Sequence, residues 1–301
     1  MAGQDWFLLF LLSILWGGSF FFAAVAVREL PPMTLVALRT GIAALALLAI
    51  LRLRGEAWPV ARGTVGPFLA MGLLNNLVPF SLLFWALTAI PSGLASILNA
   101  TTPIFAIVVA HFALADERMA KNKLVGILFG FLGVVVLTGA DVWSGTAAAS
   151  LGMLACLCAA LSYGFAGVYG RRFKALQLSA MQVAFGQLLA TTVLVLPIVF
   201  AVDRPLGLPV PSLAAIGSVL VLAIVSTALA YAIFFRVLAS AGAVNAALVT
   251  LLVPVSAILL GTLFLGEQLA QRHVLGMVLI AIGLLAIDGR ALGRFGRPAS
   301  P

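Results

Sequence analysis

The sequence predicts an all-α polytopic membrane protein: ten transmembrane helices in an inverted five-plus-five repeat, with both termini cytoplasmic. Three observations carry that expectation. Hydrophobic residues make up 63% of the 301 and charged residues only 9%, against roughly a quarter charged in a soluble domain. Apolar runs of about 20 residues recur from end to end, the length that crosses a bilayer. The second half of the chain also repeats the first at an offset of about 150 residues.

Breaks at Pro, Gly and charge clusters give spans 6–27, 32–52, 65–87, 92–113, 123–140, 148–170, 177–201, 212–238, 242–265 and 273–289. The first starts at Trp6; Ala24-Val25-Ala26 imitates a signal-peptidase site, but the run is too long for a leader and no basic segment precedes it. The second follows Pro31-Pro32 and carries Arg39, the one cation inside a span. The third holds Asn75, Asn76 and Pro79, and the fourth holds Asn99, Thr101, Thr102 and Pro103 near its middle. In the fifth, Gly126, Gly130 and Gly133 form a face for close approach of a neighbouring helix. Cys156 and Cys158 of the sixth are two apart on one helix, too ill-placed for a disulfide, and read as packing residues. The seventh contains Gln187, the eighth Ser226, Thr227 and Tyr231, and the ninth Pro254. Trp6, Trp58 and Trp143 stand at span ends as interfacial anchors.

Lys and Arg placement sets the expected direction. With the N-terminus cytoplasmic, that side collects Arg52, Arg54, Arg62, Arg118, Lys121, Lys123, Arg171, Arg172, Lys174, Arg236, Arg290, Arg294 and Arg297. The opposite side receives Arg28, Arg204 and Arg272. The net charge of +8 therefore reads as contact with an anionic inner leaflet rather than with nucleic acid.

The repeat is visible residue by residue. Pro103 falls on Pro254, Asp116-Glu117 on Glu267, Gly126 on Gly276 and Gly133 on Gly283. Leu15-Trp16-Gly17 falls on Ser162-Tyr163-Gly164, and Asn76, Phe80 and Phe84 on Thr227, Tyr231 and Phe235. An odd number of spans per half makes the halves enter the membrane in opposite senses, the architecture of secondary transporters. The expected division is residues 1–145, residues 146–290 and a basic cytoplasmic tail at 291–301.

The chain resembles the drug/metabolite transporter superfamily, EamA type. The resemblance rests on W-G-x-S-F at Trp16 to Phe20, L-R-T-G-I at Leu38 to Ile42, and the proline, acid and glycine pattern ending each half. Gln268 follows Glu267 where Arg118 follows Glu117, so an acid–Arg pair does not recur in both halves. Within the superfamily the chain is similar to bacterial inner-membrane exporters of aromatic and neutral amino acids; outward transport is what that resemblance implies.

At about 1.5 Å of rise per residue, the polar residues of several spans fall at one depth. Pro103 lies about 18 Å below its span's outer end, near the middle of a ~30 Å core. Polar groups in hydrocarbon must face protein or water, so a shared depth points to a shared cavity. The expected substrate-binding residues are Trp16, Asn76, Phe80, Trp85, Asn99, Thr101, Tyr163, Thr227 and Tyr231. Pro79, Pro103 and Pro254 are expected helix kinks that free the carbonyls of Asn75, Asn99 and Thr250. The same residues also fit interhelical packing and polar contacts between helices. Arg39, about 10 Å inside its span, could hold a substrate carboxylate or snorkel outward; a structural or gating charge is the expected role, with Glu117 and Glu267 in the same class.

No phosphate-binding G-x-x-x-x-G-K-[ST] occurs, so no ATPase partner or nucleotide cofactor is implied. No Asp or Glu lies deep in a span, and coupling to protons or plain exchange both stay open. His111 and the cysteines supply no catalytic or metal set. A channel would carry a continuous polar stripe; here the polar residues cluster centrally. The reading is a secondary transporter, monomeric or weakly dimeric, that moves small amphipathic metabolites. Aromatic or neutral amino acids come first, other metabolites or lipophilic cations second.

Overall fold

A computed structural model describes residues 3–56, 62–114, 121–138, 146–241 and 249–288. Among them the secondary structure is helical throughout. In chain order, α1 is Gly3–Ala26 and α2 is Pro32–Leu53. Helix α3 runs from Arg62–Gly72 through a π-helical turn, Leu73–Leu77, into Val78–Ala86. Helix α4 is broken into Ser92–Asn99 and Thr102–Ala113. Helices α5, Lys121–Thr138, and α6, Ala147–Gly170, follow. Helix α7, Ala180–Ile198, ends in a π-helical turn, Val199–Asp203. Helix α8 comprises Leu213–Leu220, a π-helical stretch Val221–Leu229, and Ala230–Ala241. Val249–Leu265 is α9 and Gln271–Asp288 is α10.

Seven of these, α1 to α4 and α6 to α8, are long and apolar enough to cross a membrane. Shorter apolar helices, Lys123–Val136, Leu252–Leu265 and Gln271–Ala286, coincide with the expected fifth, ninth and tenth spans. The helix starts follow local chemistry. Ser179 and Gln182 form a capping box on α7, and the Thr146 and Ser212 hydroxyls accept from the third backbone N–H beyond them.

At the end of the bundle carrying Glu29, carboxylates from one half cap helices of the other. Ser212 donates to Glu29 through its N–H (2.7 Å) and Oγ (2.6 Å). Thr34 N–H and Oγ1 both donate to Asp203 Oδ2 at 2.7 Å. The N–H groups of Ser92 (2.7 Å) and Gly93 (3.0 Å) donate to Glu267. Each acid meets unpaired N–H groups and the positive pole of a helix. At the opposite end Ser179 Oγ donates to Glu56 (2.6 Å) and Ser240 Oγ to Asp5 (2.8 Å).

The helices pack α1 on α8 and α9, α6 on α3 and α4, α2 on α7 and α8, α3 on α7, α4 on α9, and α5 on α10. The α5–α10 pair runs backbone to backbone: a Cβ added at Gly133 would stand 2.8 Å from Gly276 O, and one at Gly283 would stand 2.6 Å from Gly126 O. The expected glycine face is therefore the contact surface. Gly17 meets Val253 and Ser256 of α9 in the same way, and Gly164 meets Phe105 and Ala106 of α4.

Candidate functional site

Arg39 organises the interior. Its position in α2 is buried, and its guanidinium turns into the bundle rather than snorkelling. Nε donates to Thr227 Oγ1 of α8 at 2.9 Å. The guanidinium carbon lies 3.9 Å from the Phe80 ring centroid and 5.7 Å from that of Phe84, a cation–π arrangement on α3. Thr227 can accept because its own hydroxyl proton goes to Leu222 O (2.8 Å), a carbonyl within the π-helical stretch. The phenols of Tyr163 and Tyr231 are the electrostatic neighbours of the guanidinium.

A second polar contact crosses from α3 to α7. Asn75 Nδ2 donates to Gln187 Oε1 at 2.9 Å and, more weakly, to the Tyr231 hydroxyl at 3.4 Å. Asn76, one residue on, is fully buried, and neither polar atom of its amide has a protein partner among the described residues. Ser162 of α6 closes the ring by donating to Leu74 O (2.7 Å). The π-helical turn shifts the register so that Asn75 and Asn76 are both held inside the bundle; such single-turn bulges recur at functional sites.

Aromatic rings extend the site toward α1. Tyr231 stacks on Phe235 at 5.9 Å, Phe235 meets Phe234 at 5.5 Å, and Phe234 meets Trp16 at 5.3 Å. Of the residues expected from sequence, Phe80 and Thr227 touch Arg39, Tyr163 and Tyr231 interact with its charge, Asn76 is buried beside Asn75, and Trp16 joins Tyr231 through this chain of rings. Trp85 does not. It is the penultimate residue of α3 and 42% exposed, so its expected mid-depth place is corrected: the helix ends one residue later, and a ring there faces outward.

The expected kinks take three forms. At Pro103 the helix breaks outright, between Asn99 and Thr102. The carbonyl of Asn99, which loses its helical donor to proline, accepts instead from Thr102 Oγ1 at 2.7 Å. Thr101 spends its hydroxyl on Leu98 O (2.6 Å), a local bond rather than an open donor. Asn99 Oδ1 is buried without a protein partner among the described residues. Pro79 lies one turn past the π-helical Asn75, while Pro254 stays inside a continuous α9.

Glu267 sits apart from the cluster. It caps α4 and lines a crevice of about 390 Å³ with Arg28, Thr88 and Pro91 at the Glu29 end. Glu117 lies outside the described residues. Sequence reasoning noticed Asn75 and Gln187 but did not select them. The signal was present: Gln187 lies near the repeat position of Arg39, and Asn75 neighbours the repeat partner of Thr227.

The sequence model of the EamA-like transporter family matches residues 6–139 and again 150–287. An Escherichia coli K12 protein described as the uncharacterized inner membrane transporter YedA is 31% identical over 295 residues, covering 97% of this chain and 92% of its own length. The uncharacterized transporter YoaV of Bacillus subtilis is 29% identical, over 91% of this chain and 92% of its own. A Salmonella typhimurium protein described as a probable amino-acid metabolite efflux pump is 29% identical over 94% of each chain. One solved crystal structure, at 23% identity, superposes with a TM-score of 0.68 over 99% of this chain and 100% of its own, which establishes the shared fold. With the family model matched twice across the length of the chain, the protein belongs to the EamA-like transporter family.

Proposed function

We propose that the protein is a secondary transporter of the bacterial inner membrane that moves small amphipathic metabolites outward, foremost aromatic or neutral amino acids, by alternating access. The observation that carries this reading is the polar cluster itself. Arg39, Asn75, Asn76, Tyr163, Gln187, Thr227 and Tyr231 come from five helices and meet inside a chain that is 63% hydrophobic. Polar groups gathered in an apolar bundle cost free energy unless they serve a solute or each other, and the Asn76 amide has no protein partner among the described residues.

The inverted ten-span repeat is supported by how contacts exchange between halves. Swapping each helix for the one five later turns α1–α8 into α6–α3, α1–α9 into α6–α4 and α2–α8 into α7–α3, all of them packed pairs. The pairs α2–α7, α4–α9 and α5–α10 map onto themselves. Gly17 and Gly164, repeat partners, make matching close approaches. In this reading the two halves rock about the polar cluster, and the carboxylate caps between halves open and close at either end. The cytoplasmic side is the Glu56 end, which carries Arg52, Arg54, Arg171, Arg172 and Lys174 and meets anionic lipid there.

Amino-acid cargo is supported by relatives described as amino-acid metabolite efflux pumps and by the aromatic rings beside the cluster. Purified protein in proteoliposomes should give saturable, self-competing flux of labelled phenylalanine or threonine. Absence of saturable flux for these and for an organic cation such as methyl viologen would overturn the transport reading; flux of the cation alone would reassign the cargo.

A further inference from the structure

We infer that Arg39 is the subsite for a carboxylate on the transported solute, so that the cargo is a carboxylic acid with apolar bulk and not its amide or amine. The inference rests on the transport reading and goes beyond it by assigning the recognition chemistry to one side chain.

A guanidinium has five N–H donors in a planar fork. In Arg39 only Nε has a protein acceptor among the described residues, Thr227 Oγ1 at 2.9 Å. Phe80 covers one face of the fork at 3.9 Å. The two Nη groups, with four N–H donors between them, are left over. Beyond the Phe80 and Phe84 rings the charge has no anionic partner among the described residues. Glu29, Asp203 and Glu267 are committed to helix caps at one end, Glu56 and Asp5 accept from serines at the other, and no carboxylate among the described residues pairs with Arg39. A cation inside the membrane is retained where it has an anionic or polar partner, and a fork with its Nη edge open fits a carboxylate with two parallel bonds.

The repeat sharpens the argument. No Arg matches Arg39 in the other half; Gln187 lies near the matching position, and its carbonyl accepts from Asn75 within the protein. This contact is between neutral amides, whereas Arg39 brings a charge. A charge needed only to brace the two halves would have no reason to leave four donors unused. The Tyr231 hydroxyl, which accepts from Asn75 at 3.4 Å, keeps its own proton for a further acceptor. The apolar remainder of the solute is met by Phe84, Phe235, Phe234 and Trp16.

The test compares phenylalanine with phenylalaninamide as competitors of labelled phenylalanine flux, and as stabilisers of the detergent-purified protein against heat. In the wild type the acid should compete at least tenfold better than the amide and should alone raise the unfolding midpoint. Arg39→Gln should lose this discrimination, with acid and amide stabilising equally. Arg39→Lys, which keeps the charge but not the fork, should retain a weakened preference for the acid. Wild-type flux with full acid preference retained in Arg39→Gln overturns the subsite and leaves the transporter reading standing. Wild-type protein that shows neither flux nor stabilisation by either compound overturns both. An Arg39→Gln that does not fold, beside a folded Arg39→Lys with undiminished acid preference, overturns the bidentate assignment.

Discussion

At the scale of single residues, position 103 shows how a proline is accommodated in a lipid-length helix. Pro103 withdraws a donor from Asn99 O, and Thr102 supplies its hydroxyl at 2.7 Å in place of the missing N–H. In a medium without water an unmet carbonyl costs on the order of 1–3 kcal/mol. The two residues are therefore coupled. Thr102→Val should destabilise the protein by about 1 kcal/mol in the natural background and by much less beside Pro103→Ala, where the restored N–H can reach the carbonyl. Thermal unfolding of the four proteins in one detergent measures the cycle, and equal losses in both backgrounds would break the link. The same reasoning separates Thr101, whose hydroxyl serves Leu98 O, from Asn76, whose amide serves no protein group among the described residues. Sequence alone gave both the same standing as polar residues at mid-depth.

At the scale of elements, helix ends are tied by carboxylates reaching across from the other half. Glu29 is the clearest case outside the spans. The Ser212 hydroxyl and then its backbone N–H hold the Glu29 carboxyl below its ordinary value of 4.5. A carboxyl whose folded value is depressed contributes stability that is full above the unfolded value and is lost as pH falls through the folded one. The difference in unfolding midpoint between wild type and Glu29→Gln should thus be constant at neutral pH and shrink as pH drops below about 4.5. A difference unchanged across that range would remove the charge from the account of this cap. The π-helical turns act at the same scale. In α3 and α8 they lie at Leu73–Leu77 and Val221–Leu229, where Asn76 and Thr227 are repeat partners. Each breaks the 3.6-residue period at the point where its helix turns polar groups inward.

At the scale of the whole molecule, the proposed orientation places the Glu56 end in the cytoplasm. In a chain with Cys156 and Cys158 replaced by alanine, a cysteine at Leu206 should react with a charged, membrane-impermeant maleimide on intact cells. One at Gln177 should react only after the cells are opened. The reversed pattern would invert the topology while leaving the fold intact. Leu206 is 93% exposed and Gln177 is exposed in the turn before α7, so both are reachable.

Span positions were legible because lipid requires a continuous apolar run with its backbone bonded internally, a constraint on local sequence. The repeat was legible because its prolines, glycines and acids fall at fixed offsets. The direction of the Arg39 side chain was not. Its depth admitted snorkelling, gating or ligand binding, and the choice depended on where a long, flexible side chain points. Trp85 failed for a related reason: its ring type suggested a cavity, while the end of its helix turned it outward.

The sequence by itself determined the class of molecule, the helices and their pairing as repeats, since these follow from hydrophobic length and internal similarity. Only the tertiary structure decided which polar residues meet. Arg39 reaches Thr227 across 188 residues of chain, and Asn75 reaches Gln187 across 112. Those encounters are set by how α2, α3, α7 and α8 pack and by the register shifts of their π-helical turns, which no local pattern encodes.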